Sequence, residues 1–421
     1  MRTSEKGPRL LWLGLALAAA LSLARCNKEY VLPAELAALG SLESAVYVTR
    51  HVYPARDVGL QILRPRLGDP ALLHADGQSF ELVFYARDPA DASDLRFTLV
   101  DDLEPGVEHA LSLDAPPSCD AGGLCRAAAR APLALPEERL LTLCIFAAAR
   151  SDCRSGAVYR YDAVPEPLRF AVIADPQLGG IEGEPTLGRR LERVFEAIAA
   201  RTPRLHLALV VGDLTQGGTA SQQELFLSLA RAFPLPLLLI PGNHDFNDGN
   251  IVEYLARVLP HLDHVNRLGP YVFVGLNSGP QLRDQGGSFT AGASYGLEAA
   301  QVDWLAEQLA PEDQVELVYV HHPPYALFLS VIGSHRERFL EACRAGGVGV
   351  ILAGHTHLNE VYDRAGIAQG LDPRCDQLPG PERRPISLVT ARSTDRSAGY
   401  RELVVQPSGE LSYCWKEVDV D

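Results

Sequence analysis

The sequence predicts a small β-sandwich domain followed by an α/β domain. Residues 36–164 contain short alternating stretches broken by clusters of Pro, Gly and Asp, a pattern typical of an immunoglobulin-like or fibronectin-III-like sandwich. After Pro165 and Pro167, apolar strands alternate with helical stretches, which predicts an α/β core over residues 168–421. A chain of 421 residues also exceeds the length at which one hydrophobic core usually stops growing, so two domains are expected.

The predicted elements follow from hydrophobic periodicity. In the sandwich the clearest strands are Ser79–Tyr85 and Leu95–Val100. In the α/β domain, strands are predicted at Leu168–Ala174, Leu205–Val211, Leu235–Ile240, Tyr271–Leu276, Val315–Val320, Val348–Leu352, Ile386–Thr390 and Tyr400–Val405. Helices are predicted at Leu187–Ala200, Ala220–Ala232, Leu297–Leu309 and Ser334–Ala345. We expect the sandwich to be a scaffold for the second domain; substrate or cell-wall binding is the alternative.

The first 26 residues are typical of an export signal. Basic residues precede an apolar run from Leu10 to Leu23 that is too short to span a bilayer comfortably. Cleavage after Ala24 fits the small-x-small rule, whereas Leu23–Cys26 is similar to a lipoprotein box in which Cys26 is lipidated, although Arg25 departs from the small residue expected there. A retained N-terminal anchor is the third alternative. The protein is therefore expected to be exported, either secreted, periplasmic or attached to a membrane through Cys26.

The eight cysteines suggest disulfides, because oxidising compartments allow them to persist. Four of them cluster in the sandwich and are expected to form two bridges whose connectivity the sequence leaves open: Cys119, Cys125, Cys144 and Cys153. Cys343, Cys375 and Cys414 leave an odd thiol if Cys26 is lipidated. No CxxC spacing occurs, so a thiolate zinc site is not expected.

The formal net charge of -15 argues against a nucleic-acid-binding surface, which usually needs a basic stripe. It does not exclude a phosphorylated small-molecule substrate, because bound divalent cations would reverse the local sign of charge. Nothing in the sequence indicates the oligomeric state.

Five polar clusters come directly after five of the predicted strands: Asp175-Pro176-Gln177, Gly212-Asp213, Gly242-Asn243-His244-Asp245, His321-His322 and Gly354-His355-Thr356-His357. In open α/β sheets the carboxyl ends of the strands form the binding crevice, so these groups are expected to converge. Imidazole nitrogen together with carboxylate and amide oxygen suits borderline divalent metals. A lone Gly-Asp is more often a turn than a metal site, but Asp213 lies in order between two other clusters.

The clusters resemble the motifs of the calcineurin-like metallophosphoesterase family, whose order is DxH, GD, GNH(D/E), a late His and GHxH. Four of the five match, from about Leu168 to the C-terminus. The resemblance implies a two-sheet αββα sandwich with two divalent metal ions. It also implies that one metal is surrounded by Asp175, Gln177, Asp213 and His357, with Asp213 bridging, and that the second is completed by Asn243, His321 and His355.

The departure is Gln177, which stands where most members have His. An amide oxygen is a harder and weaker ligand than imidazole, so the site is expected to favour Mn²⁺, Mg²⁺ or Fe over tight Zn²⁺ binding. Some manganese-dependent relatives resemble this chain in carrying DxQ. Two alternatives remain open: Gln177 as a solvent-facing loop residue, and His322 as the ligand in place of His321.

The resemblance implies that His244 points at the phosphate and that Asp245 orients its imidazole. Purple-acid-phosphatase-like members carry a metal-binding Tyr three residues after the Asp of GD, where this chain has Gln216, which disfavours tyrosinate–Fe(III) chemistry. The histidines outside the motifs, among them His261 and His264, are expected at the surface or at helix ends.

The predicted function is hydrolysis of phosphate monoesters or diesters by water attack at a dimetal centre. The stretches 245–271 and 278–294 are expected to border the pocket, but neither contains a specificity signature. The rival hypothesis is an exported, non-catalytic binding protein that retains the phosphoesterase fold, with Gln177 as the first lost ligand.

Overall fold

The computed structural model of the protein describes residues 29–31, 59–75, 78–87, 95–101, 104, 106–132, 135–147, 150–180, 186–249, 251–279, 288–290, 296–309, 314–327, 331–370, 375–377, 384–394 and 398–420. The predicted export signal, including Cys26, lies outside these residues. Within the described part of the chain, no helix combines the length and the apolar character needed to cross a membrane.

The N-terminal part contains a β-sandwich, as the sequence predicts. A short strand, β1 (Glu29–Val31), precedes the sandwich and is not part of it. The strands of the sandwich are β2 (Leu60–Arg64), β3 (Ala71–Leu73), β4 (Ser79–Ala86), β5 (Arg96–Asp101), β6 (Glu108–Ala110), β7 (Ser112–Leu113), β8 (Ser118–Cys119), β9 (Leu124–Arg130), β10 (Arg139–Ala147) and β11 (Arg150–Arg160). One sheet has the order β3-β11-β10-β5-β6 and the other β2-β4-β9-β7, with β8 paired to β9. Leu82, Phe84, Leu99 and Leu143 belong to the core cluster of the sandwich and are fully buried.

The remaining strands are β12 (Leu168–Ile173), β13 (Leu207–Val211), β14 (Leu237–Ile240), β15 (His264–Leu268), β16 (Tyr271–Leu276), β17 (Ser288–Thr290), β18 (Val315–Val320), β19 (Val350–Ala353), β20 (Glu360–Tyr362), β21 (Ala368–Gly370), β22 (Asp376–Gln377), β23 (Ile386–Val389), β24 (Gly399–Val405) and β25 (Leu411–Glu417). The helices are α1 (Thr186–Ala199), α2 (Ala220–Ala232), α3 (Ile251–Arg257), α4 (Ala299–Gln308) and α5 (Arg336–Ala345), with a 3₁₀ helix at Asn243–Gly249. Every strand and helix predicted from the sequence is present, with ends within about two residues of the predicted ones, the usual uncertainty of such ends.

Apart from β17, which pairs with β1 in a two-stranded antiparallel sheet, these strands form two large sheets that pack face to face. Their orders are β14-β13-β12-β24-β25-β22 and β15-β16-β18-β19-β23-β20-β21. Phe170, Leu209, Phe273 and Tyr319 are fully buried in the cluster that joins the two sheets. Helices α1 to α3 pack on the outer face of the first sheet, and α4 and α5 on the outer face of the second. The result is the predicted αββα sandwich.

A loop of the β-sandwich, Arg66–Asp69, covers the exposed edge of β14. The Leu239 amide donates to the Gly68 carbonyl oxygen at 2.9 Å, so the edge strand gains a backbone partner, which removes a site for unwanted pairing. Gly68 has a φ of +95°, and a Cβ there would lie 2.8 Å from Leu239 Cδ1. Only glycine fits this close approach.

Asp69, at the end of the same loop, joins the two domains through a buried polar cluster. Its side chain is fully buried, and its carboxylate lies 2.9 Å from His261 Nε2, 2.8 Å from Asn266 Nδ2 and 2.8 Å from Arg64 Nε. Burial alone would raise the pKa of Asp69, but Arg64 and the hydrogen bond from His261 hold it well below its usual range.

The expectation that His261 and His264 lie at the surface or at helix ends is therefore wrong. They are 6% and 2% exposed, and His264 Nε2 lies 2.6 Å from the Tyr319 hydroxyl. Sequence spacing gives no sign of this, because their partners Asp69 and Tyr319 come from distant segments.

Three disulfides are present: Cys119–Cys125, Cys144–Cys153 and Cys375–Cys414. The first two supply the connectivity that the sequence leaves open in the sandwich. Among the described cysteines, Cys343 is a buried free thiol, and its burial raises its pKa, which makes it unreactive.

Candidate metal centre

The polar clusters of both sheets meet at one end of the αββα sandwich. Asp175, Asp213 and Asn243 follow β12, β13 and β14, and His321 and His355 follow β18 and β19. These strands run parallel within each sheet, so their carboxyl ends lie at the same edge. The convergence predicted from the sequence is therefore present in the structure.

Asp213 lies at the centre of the cluster and is only 1% exposed. Its Oδ2 accepts a hydrogen bond from Gln177 Nε2 at 3.1 Å, and its Oδ1 lies 3.4 Å from His321 Nε2. Gln177 is 3% exposed. The alternative of a solvent-facing Gln177 is therefore wrong: the side chain is enclosed and points at Asp213.

The two adjacent histidines have different surroundings. His321 Nε2 lies 3.1 Å from Asn243 Oδ1, and its Nδ1 contacts the Val211 carbonyl oxygen at 2.9 Å. Because a carbonyl only accepts, Nδ1 carries the hydrogen and Nε2 faces Asp213 and Asn243. His322 Nδ1 instead contacts Ser278 Oγ at 2.9 Å. The geometry thus favours His321 over His322 as the residue that faces both Asp213 and Asn243.

Asp175 organises the other side of the cluster. Its side chain is fully buried, and its two oxygens accept hydrogen bonds from the His355 amide at 3.1 and 3.0 Å. Asp175 Oδ1 lies 3.6 Å from His357 Nε2. The rings of His355 and His321 are 5.2 Å apart between centroids, which brings His355 to the Asn243 side. All seven residues proposed from the sequence as metal ligands therefore lie in one cluster.

Burial and close charges move the pKa values of these groups in opposite directions. Burial alone would raise the pKa of Asp213, but His321 and His244 hold it well below its usual range. Burial alone would lower the pKa of His321, but Asp213 raises it to about 9. Burial, with His321 beside it, lowers the pKa of His355. Without metal, the cluster therefore favours an ionised Asp213 carboxylate beside a protonated His321 and a neutral His355, and a metal ion that binds His321 would displace its proton.

Backbone strain is concentrated in this cluster. Seven described non-glycine residues have positive φ, and five of these are Asp175 (50°), Gln177 (46°), Asp213 (54°), His355 (72°) and His357 (60°). Left-handed backbone is costly for residues with a Cβ and persists where the surrounding structure enforces it. Here the buried strands on either side hold the donors in place.

Glycines in the motifs allow the clusters to approach one another closely. A Cβ at Gly242 would lie 2.1 Å from Asp213 Oδ1, and one at Gly354 would lie 2.6 Å from Asp175 Oδ2. Both carboxylates would have to move. The glycines of GNH and GHxH are thus explained by space for the adjoining aspartates.

His244 and Asp245 do not interact as the sequence suggested. His244 Nδ1 lies 3.0 Å from both the side-chain amide and the carbonyl oxygen of Gln216. The Asp245 carboxylate accepts hydrogen bonds from the amides of Leu214, Thr215 and Gly242 and from the Thr215 hydroxyl. The expectation that Asp245 orients the His244 imidazole is therefore wrong.

The physical reason is the start of the 3₁₀ helix at Asn243, which directs Asp245 inward onto the turn after β13. Asp245 is fully buried, and burial together with Asp213 raises its pKa to about 7. Gln216 is the partner of His244 in place of Asp245. In the sequence, Gln216 stands out only because purple-acid-phosphatase-like members have a metal-binding Tyr at this position.

The donor set fits a pair of divalent ions. Ligand atoms of Asp175, Asp213 and His321 lie within 4.8 Å of one another, and so do those of His321, His322 and His355. The two groups share His321 and therefore adjoin. His322, a member of the second group, contacts Ser278 Oγ and is not among the proposed ligands. Carboxylate oxygen and imidazole nitrogen, with the Asn243 and Gln177 amides beside them, form the mixture that borderline divalent metals accept.

Comparison with known proteins agrees with this geometry. The calcineurin-like phosphoesterase family profile matches residues 168–359. The chain is 34% identical over 271 residues to the 3',5'-cyclic adenosine monophosphate phosphodiesterase CpdA of Pseudomonas aeruginosa, covering 59% of this chain and 89% of the relative. It is 25% identical over 267 residues to a probable cyclic nucleotide phosphodiesterase of Synechococcus, covering 59% and 90%.

Among solved structures, a purple acid phosphatase from yellow lupin seeds superposes with a TM-score of 0.51 and 13% identity, over 86% of this chain and 72% of that chain. This likeness shows the fold alone. Because it covers 86% of this chain, it includes part of the N-terminal β-sandwich as well as the αββα sandwich. The sequence similarity to CpdA, together with the family match over the segment that contains every strand-end cluster, identifies the chain. It belongs to the calcineurin-like phosphoesterase family of metal-dependent phosphoester hydrolases.

Proposed function

We propose that this protein is a phosphodiesterase that hydrolyses a small diester, of the size of a cyclic nucleotide, at a dinuclear metal centre. The observation that carries the proposal is the convergence of two carboxylates, two amides and three imidazoles around Asp213. The preference for a diester is supported by the relatives, several of which are named as cyclic nucleotide phosphodiesterases.

The proposed ligands divide into two groups that share the bridging Asp213. One ion would be held by Asp175, Gln177, Asp213 and His357, and the other by Asp213, Asn243, His321 and His355. When bound, such a pair activates a water molecule and neutralises charge on the phosphoryl group. The protein residues fix the donors, since five of them lie on strained backbone between buried strands.

His244 is the proposed acid or electrostatic partner for the substrate. Its Nδ1 lies 3.0 Å from the backbone carbonyl oxygen of Gln216 and 3.0 Å from the Gln216 side-chain amide, so Gln216 holds this nitrogen and Nε2 is left to face the site. Nε2 lies 4.0 Å from Asp213 Oδ2, and the side chain is 15% exposed, so a substrate can reach it. In the imidazolium form both ring nitrogens carry a hydrogen, and Nε2 can then donate a proton to the leaving oxygen or a hydrogen bond to the phosphoryl group.

Asp245 has a positioning role in this proposal. With four hydrogen bonds to the turn after β13 and to Gly242, it fixes the segment that carries Asp213 relative to the segment that carries Asn243. The loss of Asp245 should therefore reduce metal content as well as turnover.

The test is hydrolysis of bis(p-nitrophenyl) phosphate, p-nitrophenyl phosphate and 3',5'-cyclic AMP by metal-stripped protein with Mn²⁺, Fe²⁺, Mg²⁺ or Zn²⁺ restored singly. We expect metal-dependent turnover that prefers diesters and is lost in Asp213→Asn. Asp303→Asn, which removes an exposed carboxylate on α4, is the matched control and should keep full activity.

Preference for the monoester would refute the diester assignment while leaving the hydrolase intact. Absence of turnover with every metal, combined with fewer than two ions bound per chain, would refute the dimetal proposal and favour the non-catalytic binding protein.

The proposed metal identity rests on the chemistry of Gln177. Its amide replaces the imidazole found in most members, so we propose that Mn²⁺ or Fe²⁺ occupies this site in preference to Zn²⁺. Metal analysis of protein isolated from its native cells would test this, and stoichiometric zinc would contradict it.

We also propose that the protein is exported. The three disulfides support an oxidising compartment. Fractionation of cells that express the native chain and Cys26→Ser would separate the alternatives: a lipoprotein loses its membrane association in the variant, whereas a secreted protein does not change.

A further inference from the structure

A basic pocket lies where the β-sandwich meets helices α2 and α3, away from the metal centre. Its volume is about 100 Å³, and four arginines are among the residues that line it: Arg66, Arg154, Arg231 and Arg257. The lining comes from three segments: a β-sandwich loop, strand β11 and the helices of the second domain. Four guanidinium-bearing residues around so small a space are unusual in a chain of net charge -15.

Arg66 is the buried member of the four. The residue is 5% exposed. Its Nη2 donates to the Arg257 carbonyl oxygen at 3.0 Å, whereas its buried Nη1 has no hydrogen-bond acceptor among the described residues. No described carboxylate lies within ion-pair distance of it. A buried cation without a counter-ion is costly, and such a group usually has an ionic partner.

The neighbouring charges increase this cost. Burial first, and then Arg154 and Arg231, lower the pKa of Arg66 to about 9, so the group is still charged near neutral pH. Arg154 is close to Asp152, at 3.0 Å, and Arg231 to Glu224, at 2.7 Å. These two carboxylates pair with the outer arginines. Asp152 also acts on Arg66 and partly opposes the lowering of its pKa, but it makes no ion pair with Arg66.

We propose that this pocket is a binding site for a phosphate group, with Arg66 as the buried anchor and Arg154 and Arg231 at the rim. Guanidinium groups bind phosphate oxygens through paired, charge-assisted hydrogen bonds. The orphaned Nη1 and the small volume suit one tetrahedral oxyanion. The group is either free inorganic phosphate or the terminal phosphoryl of a larger molecule that extends past the exposed arginines. The site is separate from the metal centre and does not depend on the proposed function.

The experiment uses the full chain, stripped of metal with a chelator so that the metal centre does not bind phosphate through ions. Binding of inorganic phosphate and of glycerol 3-phosphate is followed by calorimetry and by the thermal midpoint, with sodium chloride at matched ionic strength. The rim variant is Arg154→Gln/Arg231→Gln. The matched control is Arg193→Gln/Arg336→Gln, which removes two exposed arginines from other surfaces.

We expect saturable phosphate binding in the native chain, equal binding in the control, and binding weaker by roughly tenfold or more in the rim variant. Phosphate should raise the thermal midpoint where chloride does not. Binding of inorganic phosphate alone identifies the free ion as the ligand, and equal binding of glycerol 3-phosphate identifies a phosphoryl group on a larger molecule.

Arg66→Met provides an independent check, since it keeps the side-chain length and removes the buried charge. Without phosphate, its thermal midpoint should equal or exceed that of the native chain, because an unpaired buried cation is gone. With phosphate, only the native chain should gain stability. Equal phosphate binding in the native chain and the rim variant, or a stabilisation that chloride reproduces, would overturn the proposal.

Discussion

Asp263 lies just before β15 and makes stability depend on pH. It is 4% exposed, and its carboxylate accepts hydrogen bonds from the Asn277 amide at 2.6 Å and from Gln301 Nε2 at 3.1 Å. No cation is among the groups that set its pKa. Burial raises the pKa of Asp263 to about 7, and the two hydrogen bonds only partly oppose this. The folded protein therefore holds a proton that the unfolded chain releases near its usual pKa of 3.8.

The sign and size of the effect follow from proton linkage. The folded state binds more protons between pH 3.8 and about 7, so the contribution of Asp263 to stability is fully present below this range and is lost as the pH rises through it. A shift of about three pKa units corresponds to about 4 kcal/mol in the free energy of unfolding. Asp263→Asn removes the titration, so its stability relative to the native chain should rise by up to that amount between pH 4 and pH 8.

The assay is urea unfolding of the native chain and Asp263→Asn at several pH values, followed by circular dichroism. Asp303→Asn is the control, because it removes an exposed carboxylate from α4, the helix that carries Gln301. The difference between each variant and the native chain cancels titrations that they share. A difference for Asp263→Asn that stays constant across this pH range would refute the reasoning.

Four further predictions concern the metal centre and the domain junction. Gln177→His should tighten Zn²⁺ binding at the first site, because imidazole replaces an amide oxygen; competitive titration that shows equal or weaker zinc binding would contradict this. His244→Ala should lower kcat by roughly 100-fold with metal content unchanged, and Gln216→Ala by about tenfold; steady-state kinetics with metal analysis would expose a purely structural role as metal loss. Asp69→Ala should lower the free energy of unfolding by about 3 to 5 kcal/mol, because it leaves His261 without its buried partner; a smaller loss in urea unfolding would argue against a buried ionic junction.

Much of the fold could be predicted because its signals are local. The helix at residues 220–232 has the ends that hydrophobic periodicity predicts. The structure adds a reason for its start, a capping box formed by Thr219 and Gln222. The strand-end motifs are equally informative. Parallel strands bring their carboxyl ends together whatever the sequence separation, which predicts the convergence of the polar clusters. The central place of Asp213 is implied only by the family resemblance.

The contacts that could not be predicted depend on pairing between distant segments. Asp69 and His261 are 192 residues apart along the chain, and no periodicity links them. Asp245 follows His244 directly, yet its carboxylate turns to the backbone of Leu214 and Thr215, because the 3₁₀ helix fixes its direction. Sequence spacing shows which residues are neighbours along the chain but not where their side chains point. It therefore does not identify Gln216 as the partner of His244.

The domain junction also supports a structural role for the β-sandwich. Its Arg66–Asp69 loop supplies the backbone partner for Leu239 on β14. Asn243, which faces His321, lies three residues after the end of that strand. An edge strand without a partner frays more readily than a paired one. The sandwich therefore stabilises the strand that positions one side of the metal centre. This gives a reason for the buried ionic contacts between the sandwich, which has no described metal-site residue, and the catalytic domain. It also means that damage to Asp69 should reach the centre through β14, as reduced occupancy of the Asn243 site rather than as a change in the chemistry at His244.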